Sequence, residues 1–385
     1  MTFTFAMVAG EASGDLLAGL LLDGMRARWP QMQSHGIGGP LMAKRGFDVW
    51  WPHDKLAVRG YVEVLKHYRE IVGIRNALRE KLLANPPSVF IGVDAPDFNL
   101  DLEAALKARG IPTVHFVCPS IWAWRAERIH KIKASCDHVL CIFPFEPALL
   151  AKHGIAATYV GHPVANVIPM APDRAGARRA LGLKEEGEVI AILPGSRAAE
   201  IQYLADRFFA ASAIVAKERP SATFIVPAVP QLKDRIEAAA ARAGLGERMR
   251  VYGGQSHAVM AACDLALVAS GTATLEMALF KRPMVIAYAM NWLSWRIHRS
   301  KQLQPWVGLP NILCEDFVVP ELLQGDANPE SLARALLEWL RAPDRMAAVQ
   351  EKFGALHERL RRDTTKLATD AIEKVIEQAA APGAA

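Results

Sequence analysis

With 385 residues the chain is long for a single core, and at roughly 150 residues per domain it predicts two or three folding units, two being the working expectation. Hydrophobic residues at 51% against 22% charged exclude a disordered chain, and 27 glycines with 24 prolines are too few for a collagenous or low-complexity one. A formal net charge of +5, from 45 Lys and Arg against 40 Asp and Glu, is too slight for a dedicated nucleic-acid binder and leaves small anions or an acidic membrane surface as partners.

In chain order, the apolar run at 3–9 (FTFAMVA) predicts a strand and Asp15–Arg28 a helix. The runs at 88–93 and 113–118 predict further strands, with helices over Leu100–Arg109 and from Trp122 onward. Strand and helix in alternation mean βαβ units and a mainly parallel sheet. Gly161–Arg174, with Pro163, Pro169 and Pro172, reads as a linker. The alternation then restarts, with strands at 189–193, 223–226, 249–252, 265–268 and 284–288 and helices over Ala199–Lys217, Lys233–Ala243 and Thr272–Phe280. From Pro329 the pattern is helical, ending in an Ala-rich tail from Ala379. The expected division is a first α/β domain at 1–165, a second at 166–345 and a helical segment at 346–385. Two Rossmann-like domains joined by a linker imply a cleft facing the carboxyl ends of both sheets, where open α/β folds bind ligands.

Cys118, Cys136, Cys141, Cys263 and Cys314 are scattered and form no CxxC pair, which excludes a disulfide framework and a thiolate zinc site. No cationic segment precedes the apolar start, Glu11 and Asp15 interrupt it early, and no apolar run approaches the ~20 residues of a membrane span. A reducing cytoplasm is the expected location.

The strand-to-helix junctions carry the candidate chemistry. At Ala9-Gly-Glu-Ala-Ser-Gly-Asp15, Ser13 or Asp15 is placed to cap the helix, while Glu11 beside a hydroxyl is equally suited to grip a sugar. Gly36-Ile-Gly-Gly-Pro40 is a poor dinucleotide fingerprint, because Leu41 occupies the third glycine position. Asp94-Ala-Pro-Asp-Phe-Asn99 delivers two acids to a strand end. Asp97 or Asn99 suits the cap, and Asp94 is surplus to it, hence a candidate general base, the alternative being a hydrogen-bonded turn residue. Cys118-Pro-Ser-Ile-Trp-Ala-Trp-Arg125 offers Trp122 and Arg125 to sugar, acyl chain or phosphate, or else packs a tryptophan into the core. In the second half, Gly195, Ser196 and Arg197 suit a diphosphate. Arg197 can alternatively pair with Glu200 or Asp206, a surface contact worth little. Ser270, Gly271 and Thr272 lead into a helix whose free N–H groups attract phosphate; Glu276 on the first turn suits a ribose, and Asn311 a base or phosphate. With no P-loop, DxD pair or HExxH, neither a metal nor a cofactor is expected.

Taken together, GEASGD at 10–15, LAVRGYVEVL at 56–65, DAPDFN at 94–99, PSIWAWR at 119–125, FPFE at 143–146, GHP at 161–163, LPGSR at 193–197, SGTATLE at 270–276 and LPN at 309–311 closely resemble the lipid-A-disaccharide synthase family. The motifs span nearly the whole chain in one order. The resemblance implies a GT-B glycosyltransferase fold that transfers a diacylated glucosamine from its UDP derivative to the 6-hydroxyl of diacylglucosamine 1-phosphate. It implies Asp94 as base and Arg197 as essential, the acceptor on the N-terminal domain with Glu11, Ser13, Trp122 and Arg125, and UDP on the C-terminal one. It further implies peripheral association with the cytoplasmic face of the inner membrane and, in some members, a homodimer exchanging C-terminal segments, so that the C-terminal helices pack on their own first domain or on a partner's.

Acyl chains call for apolar surface, each buried methylene being worth about 0.8 kcal/mol. Leu56–Val72 supplies one candidate, although Arg59 stands where the family pattern carries an apolar residue. Lys281, Arg282, Arg296, Arg299 and Lys301 with Trp292, Trp295 and Trp306 supply a second, suited to an anionic interface. Two rivals share this reading, a GT-B transferase or epimerase acting on a soluble UDP-sugar and a non-catalytic nucleotide-sugar sensor.

Overall fold

The computed structural model describes residues 3–56 and 61–381, with the side chains of 61–67, 293, 294, 297 and 298 outside the description. It divides into two compact units, one running to Asn166 and resuming at Leu360, the other Val167–Arg359. The segment expected at 346–385 is therefore shared between them.

The first unit runs β1 (Thr4–Ala9), α1 (Ala12–Arg28), β2 (Gln33–Gly38), α2 (Pro40–Ala43), β3 (Asp48–Pro52) and α3 (Tyr61–Ala84). It continues with β4 (Val89–Val93), α4 (Pro96–Lys107), β5 (Thr113–Phe116), α5 (Arg128–Ser135), β6 (His138–Cys141), α6 (Glu146–Ala151) and β7 (Ala157–Tyr159). The short α7 (Pro163–Val167) interrupts the expected linker. All seven strands are parallel, in the order β3-β2-β1-β4-β5-β6-β7. Central strands of such a sheet are covered on both faces, so they need continuous apolar sequence. Every residue of β4 and β5 is accordingly buried. One face packs Leu78, Leu82, Phe98, Leu102 and Leu106 from α3 and α4 against Ala6, Val8 and Phe90.

The second unit runs α8 (Arg174–Ala180), β8 (Val189–Leu193), α9 (Ala198–Glu218), β9 (Thr223–Ala228), α10 (Lys233–Arg242), β10 (Met249–Gly253) and α11 (Ser256–Ala262). It continues with β11 (Leu265–Ala269), α12 (Thr272–Leu279), β12 (Met284–Tyr288), α13 (Trp292–Lys301), α14 (Leu309–Cys314), β13 (Glu321–Leu323), α15 (Pro329–Leu340) and α16 (Pro343–Leu360). Its six strands, again parallel, lie in the order β10-β9-β8-β11-β12-β13. The C-terminal α17 (Thr364–Ala380) belongs to the first unit, where it packs on α1 and is pinned by Arg28 to Asp370, 2.5 Å, and Glu373. Among the described residues no helix is long and apolar enough to cross a membrane.

Two helix starts differ from the sequence reading. Glu11 is the N-cap of α1 and neither Ser13 nor Asp15 caps it. Asp15 is buried and accepts from Gly39, Leu41 and Met42 N–H at 2.9, 2.9 and 3.1 Å. The glycine loop before α2 thus spends its N–H groups on an internal carboxylate rather than on a phosphate. The helix expected from Trp122 begins only at Arg128, and residues 119–127 form turns.

Candidate active site

In each sheet there is one place where consecutive βα crossovers depart to opposite sides, and open α/β sheets bind ligands at the carboxyl ends flanking it. In the first unit that place lies between β1 and β4, paired in parallel with Ala9 opposite Val93. The loop carrying Glu11 and Ser13 and the loop carrying Asp94 leave the sheet side by side. The two loops pack closely, since a β-carbon on Gly10 would lie 2.8 Å from Cβ of Ala95. Glu11 is half-buried and Ser13 exposed.

Asp94 is half-buried, and it and Ala95 both adopt left-handed backbone, φ 52° and 44°. This conformation is disfavoured for residues bearing a β-carbon and persists where the surroundings fix it. Asp94 N–H donates to the Phe116 carbonyl at 2.9 Å, and its own carbonyl accepts from Asn99 Nδ2 at 2.8 Å. Neither Asp97 nor Asn99 caps α4, whose N-cap is Ala95. The left-handed turn carries Asn99 beneath the loop, and leaves Asp97 exposed to meet Arg128 and, at 3.9 Å, Arg125. The DAPDFN segment is thus joined to PSIWAWR through Arg125 and to the start of α5 through Arg128.

Trp122 is half-buried at that surface. Its Nε1 donates to Glu146 Oε1 at 3.0 Å, and its ring meets Phe143 and Phe145 edge-on at 5.9 and 5.3 Å. Arg125, φ 56°, covers the ring of Trp124 at 4.2 Å. Glu146, fully buried, also accepts from Phe143 N–H at 3.0 Å. Burial outweighs these hydrogen bonds and pushes its carboxyl up to about 8 from 4.5. A carboxyl raised on folding stabilises the fold below its unfolded value, and that contribution is lost as pH rises through the folded one. Between about pH 5 and 8 the thermal midpoint of Glu146→Gln should therefore fall less with rising pH than that of the parent, as scanning calorimetry across buffers will register.

In the second unit the corresponding place lies between β8 and β11. After β8 the chain turns at Gly195, φ 122°, and Ser196 and Arg197 N–H donate to Glu200 Oε2 at 2.9 and 3.3 Å. Arg197 Nη1 bonds Glu200 Oε1 at 2.9 Å, whereas Asp206 pairs with Arg242. The turn thus holds a carboxylate with the groups expected to face a phosphate, and the Arg197 side chain remains 53% exposed. After β11, Gly271 is the N-cap of α12, and both it and Thr272 are exposed with open space at Gly271. Ser270 N–H is held by the Ala287 carbonyl at 2.9 Å.

Two residues sit differently from expectation. Glu276 lies beyond the first turn of α12, and its carboxylate meets His257 Nε2 at 3.1 Å. Asn311 is fully buried in α14, with its amide hydrogens committed to the Val319 carbonyl and Glu321 Oε1 at 2.9 and 2.8 Å. Glu321 in turn holds Val307 and Gly308 N–H at 2.8 Å each, so Asn311 shapes that loop through Glu321. Neither His257 nor Glu321 carries a sequence signal; only the fold brings them in.

Of the basic and aromatic stretch, Trp292 is 65% exposed and Arg296, Arg299, Lys301, Leu303 and Phe317 are exposed. Arg282, by contrast, is buried on the Met260 and Ala261 carbonyls, and Lys281 meets His357 Nδ1 at 2.5 Å. Burial lowers the Lys281 ammonium to about 8. In the other stretch, Ala57–Gly60, including Val58 and Arg59, lies outside the described residues, as do the side chains of Tyr61, Val62, Val64, Leu65 and Lys66.

A family model described as lipid-A-disaccharide synthetase matches residues 5–375. Lipid-A-disaccharide synthase of Albidiferax ferrireducens is 65% identical over 377 residues, covering 97% of either chain. That of Verminephrobacter eiseniae is 60% identical, covering 96% of this chain and 97% of its own. Among solved structures, a putative UDP-N-acetylglucosamine 2-epimerase from Listeria monocytogenes superposes with TM-score 0.68 at 12% identity over 98% of each chain. The UDP-GlcNAc 2-epimerase of Neisseria meningitidis gives 0.62 at 11% over 98% of this chain and 99% of that one. These two likenesses establish the GT-B-like fold alone.

Proposed function

This chain belongs to the lipid-A-disaccharide synthetase family and acts as a lipid-A-disaccharide synthase in lipid A biosynthesis, and from that premise we propose its substrates and the division of labour among its residues. The donor is UDP-2,3-diacylglucosamine, the acceptor 2,3-diacylglucosamine 1-phosphate, and the products are the β-1,6-linked disaccharide 1-phosphate and UDP. Inversion at the anomeric carbon takes a single displacement, with a base on the acceptor hydroxyl and charge stabilisation on the departing diphosphate. Asp94 takes the proton from the 6-hydroxyl, and Arg197 meets the charge that develops on UDP. Glu11, Ser13, Arg125 and the half-buried Trp122 serve the acceptor. Gly195, Ser196, Gly271 and Thr272 approach the diphosphate.

The observation that carries this reading is the backbone clamp on Asp94 at the carboxyl end of β4, which presents a carboxylate on a fixed turn beside Glu11. The test is mass spectrometry of products from the paired diacyl substrates. Formation of the diacyl disaccharide with no comparable use of unacylated UDP-N-acetylglucosamine is expected. Equal use of both donors would favour a soluble UDP-sugar enzyme, and UDP binding with no glycosidic product a sensor.

The lipid substrates place the protein at the cytoplasmic face of the inner membrane, and the surface proposed for that contact is the exposed set on and after α13. Trp292, Leu303 and Phe317 offer apolar area, while Arg296, Arg299 and Lys301 attract anionic headgroups. Liposome sedimentation should show binding to anionic vesicles that weakens with salt and weakens again in Trp292→Ser with Arg296→Ser; equal binding to neutral vesicles would count against it.

A further inference from the structure

We infer that Asn99 and the buried Glu103–His115 pair are a positioning unit for Asp94, fixing the backbone turn that presents its carboxylate. The inference rests on the reading of Asp94 as the base. Asn99 is fully buried, and besides the Asp94 carbonyl its Nδ2 approaches the Val8 carbonyl at 3.3 Å, so one amide ties the end of β4 to β1 across the place where the loops diverge. Two consecutive left-handed residues without glycine need such an anchor.

Glu103 lies one turn further along α4, fully buried. It rests on Gly92 of β4, where a β-carbon would fall 2.1 Å from Oε1 and 2.9 Å from Cβ of Asn99. Oε1 bonds His115 Nδ1 on β5 at 2.7 Å, and Oε2 accepts from Cys136 Sγ at 3.3 Å. The carboxylate oxygens are thus spent on hydrogen bonds within the cluster. Among the described residues His115 Nε2 is buried without a hydrogen-bond partner. A buried ion pair is seldom better for stability than apolar packing of the same volume, so a helix resting on a sheet gains little from this one. Its place beneath the Asp94 loop gives it another use.

The groups facing His115 are Glu103 from α4 and Asp94 from the end of β4, with Cys136 and Asp137 after α5 and Lys107 at the end of α4 bearing on Cys136. Burial alone pushes the imidazole down, but the charge and hydrogen bond of Glu103, with the charge of Asp94, outweigh it and the net direction is upward. The ring therefore keeps its cation, and with it the ion pair to Glu103, to higher pH than a free histidine does.

The test measures kcat and KM for both diacyl substrates from roughly pH 5 to 9 in the full chain, for the parent, Asn99→Ala, His115→Gln, Glu103→Gln with His115→Gln, and Asp94→Asn. Asn99→Ala should lower kcat on the order of 10²-fold with KM little changed, the cost of misplacing a reacting group. His115→Gln should lower kcat with KM little changed, because Glu103 loses the ring that fixes it against Gly92. The double substitution replaces the ion pair by two neutral amides of similar shape and should recover part of that loss, an outcome that loss of packing alone does not produce. If His115→Gln does not fold, Asn99→Ala still decides, since it leaves the Glu103–His115 pair in place. Parent-like kcat in folded Asn99→Ala and His115→Gln, with Asp94→Asn inactive, would overturn the inference alone. A fully active Asp94→Asn would instead overturn the reading of Asp94.

Discussion

Arg197→Ala is expected to lower turnover of the diacyl substrates by about two orders of magnitude, a loss of about 3 kcal/mol of transition-state stabilisation. The guanidinium stands at the start of α9, where the helix end and the N–H groups of Ser196 and Arg197 already favour an anion, here the Glu200 carboxylate. A surface pair of this kind contributes little to stability, so the variant should melt close to the parent and the effect should be confined to kinetics. Arg197→Lys keeps the charge but not the planar fork and should fall between the two. Steady-state rates under saturating donor will show this, and turnover near the parent value for Arg197→Ala would remove the residue from its role.

Asp94→Asn should cost more, roughly 10² to 10⁴ in kcat, the usual range for a positioned proton acceptor. The substitution preserves shape, and the bonds that hold this residue are made by its backbone, to Phe116 and Asn99, so the turn survives while the base is lost. Asp94 belongs to the first unit and the proposed UDP groups to the second. Donor affinity should accordingly remain near the parent value.

The strands legible in the sequence include those buried on both faces, β1, β4, β5, β8, β11 and β12, since only continuous apolar runs satisfy that environment. Those missed, β2, β3, β6, β7 and β13, lie at or next to a sheet edge, where sequences such as QSHGIG or ATY need not be apolar. The junctions that carry Glu11, Asp94, Gly195 and Ser270 were legible for the same reason, because each follows a central strand. Roles decided by distant partners were not. Asp15 reaches Gly39, Asn311 works through Glu321, and Glu276 meets His257, and no local spacing encodes these contacts. The segment from Trp122 reads as a helix, yet its tryptophans sit in turns, Trp122 bonded to Glu146 and Trp124 covered by Arg125.

The most direct test of the account is single-turnover formation of the disaccharide by Asp94→Asn, measured beside a calorimetric titration of UDP into the same preparation. The account predicts UDP affinity equal to the parent's with product formation slowed by at least about two orders of magnitude. Parent-like product formation at unchanged UDP affinity would contradict it.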